Sequence, residues 1–178
     1  DVESRGLGDV YKRQDRQANK KKKIHAHLFG DYTYNYLNLM RKLEYYTNCK
    51  SDIISKIYRK FLNARYKRLS VKTGIQIGIN SFGKGLALFH YGSIIVNGTA
   101  QFGEFCVVQS DVNVSAGVRG GNEVYIAPGV KILENIAIAD NVIIGANAVV
   151  CKDIEEPHTS WGGIPAKKIS EKGFEFKM

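Results

Sequence analysis

The chain has 178 residues, 44% of them hydrophobic, with 26 Lys+Arg against 17 Asp+Glu and a formal net charge of +9. That length and apolar content are enough for one ordinary domain with a small appendage and argue against wholesale disorder. No apolar run approaches the roughly 18–20 residues of a membrane span, and no signal-peptide pattern is present. Three cysteines, Cys49, Cys106 and Cys151, lack metal-like spacing, and their odd number fits reduced thiols in a cytoplasmic protein better than a disulfide framework.

Residues 1–14 are set apart from fold reasoning. The stretch SRGLGDVYKRQ, residues 4–14, reads as a translated transposon-end adaptor of a sequencing library, so the natural N-terminus is expected to lie elsewhere. Residues 15–31 read as a basic, flexible lead. The charge is concentrated just there and beyond: residues 1–14 sum to zero, residues 15–72 carry 15 basic against 4 acidic side chains (+11), and residues 73–178 carry 8 against 10 (−2).

Residues 32–72 read as a two-helix segment. Tyr36, Leu39, Met40, Leu43 and Tyr46 follow i, i+3, i+4, i+7 spacing and share one face, with Asn48 as an end. A second helix follows Ser51 or Asp52, either of which can cap it by accepting a backbone N–H bond. Its apolar stripe is Ile54, Ile57, Tyr58, Phe61 and Leu62, and its basic residues lie largely off that stripe. A solvated face is the ordinary reading of those charges; an anionic surface, a membrane or a cofactor phosphate, is the functional one.

From about residue 94 the period changes to six, within a domain placed at residues 73–165. Stepping by six from Val96 gives Val96, Phe102, Val108, Val114, Gly120, Ile126, Ile132, Ile138, Ile144 and Val150. Stepping from Ile94 gives Ile94, Ala100, Cys106, Val112, Val118, Val124, Val130, Ile136, Val142, Ala148 and Ile154. Small residues often follow the first series. An amphipathic helix cannot sustain a period of six, and plain strand alternation does not give two phased series over this length. The arrangement that does is a solenoid in which each six-residue piece is a short strand plus a turn, three pieces make a triangular coil, and the two series stack inward. The predicted fold is therefore mainly β, a parallel β-helix of hexapeptide repeats preceded by a short α-helical segment and followed by a tail over residues 166–178.

His90 stands where this rhythm breaks. Leu86 and Leu88 form one inward pair and Ile94 and Val96 the next, eight residues later instead of six, so two extra residues interrupt the coil around the histidine. Such departures from an otherwise regular pattern are where function is expected. A neutral imidazole, with an unperturbed pKa of about 6.5, suits a general base that deprotonates a hydroxyl. His25 and His27 read as surface residues of the lysine-rich lead, and His158 as a turn residue.

The motifs HYGSIIVNG, VYIAPGVKI, IADNVIIGANAVVCKD and GGIPAKKI resemble the hexapeptide acyltransferases, and among them the serine acetyltransferase-like branch, in particular short members linked to surface-polysaccharide synthesis. RKLEYYTNCK and RLSVKTGIQI are similar to that branch's reduced helical lead-in. The resemblance implies a left-handed β-helix and an O-acetyltransferase that moves acetyl from acetyl-CoA to a hydroxyl of L-serine or a saccharide, without a metal. It implies His90 as catalytic base, pantetheine running along Gly121, Ala127, Gly145 and Ala146, and Gly163, Lys167 and Lys168 at the CoA end. It also implies a homotrimer with sites shared between subunits, in the cytoplasm. The basic segment adds peripheral contact with an anionic membrane at its inner face, and no base-reading motif suggests nucleic acid. Three features depart from the branch: Phe89 stands where an aspartate usually precedes the histidine, TGIQIGIN carries no acid, and the loop after DVNVSAG is about one hexad short and lacks a histidine. Glu44 and Asp31 are available carboxylates with no assigned role. The competing reading is a β-helix that binds or scaffolds without activity; a zinc enzyme on this fold would need three histidine ligands, and the hexad region with its entry offers one.

Overall fold

The computed structural model describes residues 2–19 and 31–174, with side chains from residue 10 onward; His25 and His27 lie outside these. Among the described residues three helices, α1 (Val2–Ala18), α2 (Tyr32–Asn48) and α3 (Ile53–Thr73), precede a left-handed β-helix of short parallel strands. Each coil contributes to three sheets. The first sheet stacks β1 (Ile75–Ile77), β3 (Ile94–Val96), β6 (Val112–Val114), β9 (Lys131–Ile132) and β12 (Val149–Val150). The second stacks β4 (Gln101–Phe102), β7 (Arg119–Gly120) and β10 (Ala137–Ile138), and single bridges extend it to Phe82 and Ile154. The third stacks β2 (Ala87–Leu88), β5 (Val107–Val108), β8 (Tyr125–Ile126), β11 (Ile143–Ile144) and β13 (Ser160–Gly162), closed by the antiparallel β14 (Lys167–Ser170).

Both hexad series point inward as the period predicts. Every member from Ile94 to Ile154 is buried, and so is every member from Val96 to Val150 except Gly120. That exception is filled from the coil before it. A Cβ at Gly120 would lie 2.0 Å from Cδ1 of Phe102, so the Phe102 ring occupies the space a side chain would take, stacked on Phe82 at 4.9 Å. Backbone hydrogen bonds run from coil to coil, as from Gln109 N–H to the Ile126 carbonyl and from Ala127 N–H to that of Ile144.

The helices are joined to the first coil by buried polar groups. Asp31 caps α2, accepting from the Tyr34 N–H at 3.0 Å, and Asp52 caps α3, accepting from the Ser55 N–H at 2.8 Å. Tyr36 of α2 and Tyr66 of α3 hydrogen bond to each other; Tyr36 accepts from the Ile77 N–H and Tyr66 donates to the Ile77 carbonyl, so one hydroxyl pair ties both helices to β1. Burial raises the pKa of both phenols, keeping them protonated donors.

Arg41 of α2 is 2% exposed. It donates to Asp15 at 2.7 Å, to Glu44 at 2.9 Å and to the carbonyls of Phe82 and Gly83. Burial opposes its charge, but Asp15 and Glu44 together more than offset that. Asp15 also accepts from the N–H groups of Gly85 and Leu86, and Asn19 bonds to Leu86 and Leu88. Residues 15–19, expected to begin a flexible lead over 15–31, therefore complete α1 and anchor it to the first coil, while residues 20–30 lie outside the described residues. Polar pairing explains why the composition of that stretch did not show it.

The second helical stripe is also corrected. Leu62 is buried and Tyr58 half-buried, but Ile54 is 81%, Ile57 65% and Phe61 54% exposed. The inward face of α3 is instead Ser55, Leu62, Tyr66 and Thr73, spaced by seven, four and seven residues.

Candidate active site

His90 lies at the corner where the chain passes from the third sheet to the first. The register pairs Leu88 with Val108 and Ile94 with Val112. Five residues, 89–93, therefore fill this corner where three, 109–111, fill the equivalent one in the next coil. The sequence-level interruption is thus an enlarged corner. The end of α3 holds it: Gly92 N–H donates to the Thr73 carbonyl at 2.9 Å and Ile94 N–H to that of Gly74 at 3.0 Å. Gly74 is the left-handed C-cap of α3, with φ 70°, and a Cβ there would meet the Gly92 backbone at 3.0 Å. Close approach thus requires the glycine of KTG, and the backbone at Gly92, with φ 137°, favours the glycine of HYG.

The imidazole is exposed and makes no hydrogen bond to any of the described residues. Aromatic side chains flank it. Phe89 is 39% and Tyr91 67% exposed, and Tyr91 meets Tyr32 edge to face at 6.5 Å. Lys72 Nζ lies 4.6 Å from the centre of the Tyr32 ring. Between Asp52 and Glu104 the sequence contains no Asp or Glu, so the first coil and its corner supply no carboxylate of their own. Asp31 and Glu44 are accounted for structurally: Asp31 caps α2, and Glu44 accepts from Arg41 and from the Asn80 N–H. These aromatic neighbours were not singled out as functional from the sequence, although their adjacency in FHYG was the available signal.

Four of the small residues read as cofactor positions lie below His90 on this same edge. Ala127 stacks under Gln109 and above Gly145 through coil-to-coil hydrogen bonds; Ala146 follows Gly145, and Gly163 follows the β13 residue in register below. At about 4.8 Å per coil, the corner at Gly145 lies three coils, roughly 14 Å, from that of His90. Gly121 is placed elsewhere. It turns from the second sheet to the third, where a Cβ would lie 2.1 Å from Oδ1 of Asp140, the atom that accepts from the Asn122 N–H. Close approach by Asp140 accounts for this glycine.

The two lysines also differ. Lys168 donates to Glu156 at 2.6 Å and pairs with Glu171 at 2.8 Å, and these bonds hold its pKa above the ordinary value. Lys167 is exposed and makes no ion pair with the described residues. His158 has φ 58°, confirming it as a left-handed turn residue. The segment after DVNVSAG runs as a regular coil through β7 and β8 with no protruding loop. Among the described residues no cluster of His, Cys, Asp and Glu forms a metal site.

Residues 121–152 match the family model described as bacterial transferase hexapeptide (six repeats). Curated relatives include serine acetyltransferases of Synechococcus elongatus, 32% identical over 110 residues (57% of this chain, 45% of that one), and Staphylococcus epidermidis, 34% identical over 116 residues (57% and 51%). A serine acetyltransferase of Helicobacter pylori is 32% identical over 108 residues, 56% of this chain and 63% of the relative. The match thus spans between about half and two thirds of these relatives. The chain resembles the serine acetyltransferase-like branch of the hexapeptide-repeat acyltransferases. The fold agrees with that resemblance: the structure of serine acetyltransferase from Brucella abortus superposes with a TM-score of 0.76 at 20% identity, covering 98% of this chain and 73% of that one. The soybean apoenzyme superposes with a TM-score of 0.72 at 22% identity, covering 95% and 70%.

Proposed function

We propose that the protein is an O-acetyltransferase that moves acetyl from acetyl-CoA to a saccharide hydroxyl, with His90 as general base. One observation carries the reading: the enlarged corner at residues 89–93 presents an exposed imidazole at the head of an edge lined by Ala127, Gly145, Ala146 and Gly163. A similar structure, at a TM-score of 0.71 and 19% identity, is a serine acetyltransferase in complex with CoA. On this edge the small residues leave room for a pantetheine arm along the coils, and Lys167, exposed and without an ion pair among the described residues, is a cation for its phosphates.

In the reaction, the neutral His90 imidazole takes the proton of the acceptor hydroxyl as the oxygen attacks the thioester carbonyl. The tetrahedral oxyanion collapses, the carbon–sulfur bond breaks, and the imidazolium returns its proton to the departing thiolate. Binding the ammonium group of L-serine calls for a carboxylate; none occurs between Asp52 and Glu104, and Asp111 at the corner of the next coil is paired with Lys131, so a neutral sugar face fits the exposed Phe89 and Tyr91 rings better. The imidazole has no orienting partner among the described residues, which suits a homotrimer whose neighbouring copy completes each site.

The same unpartnered histidine, with the regular coil in place of a loop, also favours a second reading, a β-helix that binds without turnover. Thiol release from acetyl-CoA, measured with L-serine and with a panel of amino sugars and oligosaccharides, separates the two. Turnover with a saccharide and none with L-serine is expected. Turnover with L-serine alone contradicts the acceptor, and CoA binding without turnover on any acceptor supports the second reading.

A further inference from the structure

The outward face of α3 combines two properties that surface helices usually keep apart. Ile53, Ile57 and Phe61 form a row at i, i+4, i+8, with Ile54 beside them, and all four are more than half exposed. Lys56 and Lys60 flank the row on one side; Arg65 and Arg68 follow it on the next turns. The helix contains seven basic residues and no acidic one. Arg65 lies over the Phe61 ring at 5.8 Å, so charge and apolar surface are contiguous.

We propose that this face docks the protein onto an anionic lipid bilayer, the isoleucines and Phe61 entering the headgroup region while the flanking lysines and arginines meet lipid phosphates. Exposed aliphatic side chains bordered by basic ones are the pattern of a helix lying in a membrane interface, where apolar burial and attraction to anionic lipid act together. Among the described residues no helix is long and apolar enough to cross a membrane, so the contact is peripheral. Charge decides the occupant. An α3-to-α3 contact between two copies would set these basic residues against their own counterparts, and residues 53–103 offer no carboxylate to relieve it. A convex row of aliphatic side chains on a helix with no acidic residue also presents little fixed pattern for a folded partner, whereas a bilayer requires only depth and sign. The proposal is independent of whether the β-helix is an enzyme.

The test is co-sedimentation of the full chain with vesicles of phosphatidylcholine alone and of phosphatidylcholine with phosphatidylserine. Binding to the anionic vesicles should be at least about tenfold tighter and fall steeply with salt, as expected for several basic residues at a charged surface. The double variant Ile54→Ser with Ile57→Ser and the double variant Lys60→Gln with Arg68→Gln should each weaken it about tenfold or more. Both should keep the melting temperature and sedimentation mass of the wild type, since all four positions are exposed. Equal affinity for both vesicle types overturns the proposal, as does binding that neither variant changes. So does an isoleucine variant that alters the sedimentation mass of a wild type that ignores vesicles, which would mark the face as a contact between copies. Wild type that binds polynucleotide but not anionic vesicles overturns it too.

Discussion

The β-helix and the helical segment before it are stabilised in opposite ways. In the β-helix each coil repeats the same solution, aliphatic pairs stacked on aliphatic pairs, so no single residue is decisive. The helical segment shares that core through Leu37, Met40, Leu43 and Leu62, adds buried polar ties, among them the Arg41 cluster and the Tyr36–Tyr66 pair, and leaves part of its apolar surface in solvent. The difference teaches where each region is vulnerable: the repeat tolerates exchange of one apolar group for another, while the helices depend on a few buried hydrogen-bonded groups in addition to their share of the core.

The largest effect should come from Arg41→Ala. It leaves Asp15 and Glu44 buried without their cation, and loss of one partner of a buried ion pair costs about 3–5 kcal/mol. Urea unfolding should show that loss; a change of a few tenths would mean the helices are held by packing alone. Next is Gly120→Val, which drives a side chain into the Phe102 ring and should cost about 1–3 kcal/mol by overpacking. In a Phe102→Leu background the loss should shrink, because the two sites share one volume; strict additivity would contradict the account of the gap in the series.

A smaller effect is linked to pH. Burial pushes the Cys106 thiol up to about 12, above its ordinary value near 9. The unfolded thiol ionises first as pH rises, so this contribution to stability is whole below the ordinary value. It is lost as pH climbs toward about 12, at about 1.4 kcal/mol per pH unit. Comparing wild type with Cys106→Val in urea at neutral and alkaline pH should show the steeper decline in the wild type. Parallel declines would mean the thiol is not sealed in the coil.

Much of this comparison was legible in the sequence, for reasons that differ by region. A period of six is a property of the backbone path, so both inward series could be named residue by residue. The enlarged corner at His90 was visible as a count of eight in place of six. The helical segment was less legible because its inward positions are not its most apolar ones. Ser55 and Tyr66 face the core of α3 while Ile54 and Ile57 face water, since Tyr66 is drawn in by its bonds to Tyr36 and Ile77. Nothing in the sequence pattern marked Arg41, because its partners, Asp15 and Glu44, come from one distant and one nearby position. Within the site, the shared edge of Ala127, Gly145 and Ala146 follows from the coil register, and only that register separates Gly121 from them.

The smallest structural effect and the largest functional one should coincide at His90, which is exposed and has no hydrogen bond among the described residues. The most direct measurement compares wild type and His90→Ala for melting temperature, CoA affinity and thiol release in the presence of the best saccharide acceptor. Unchanged melting and CoA binding with turnover abolished is the predicted result. Turnover retained in the variant would contradict the assignment of His90 as the base.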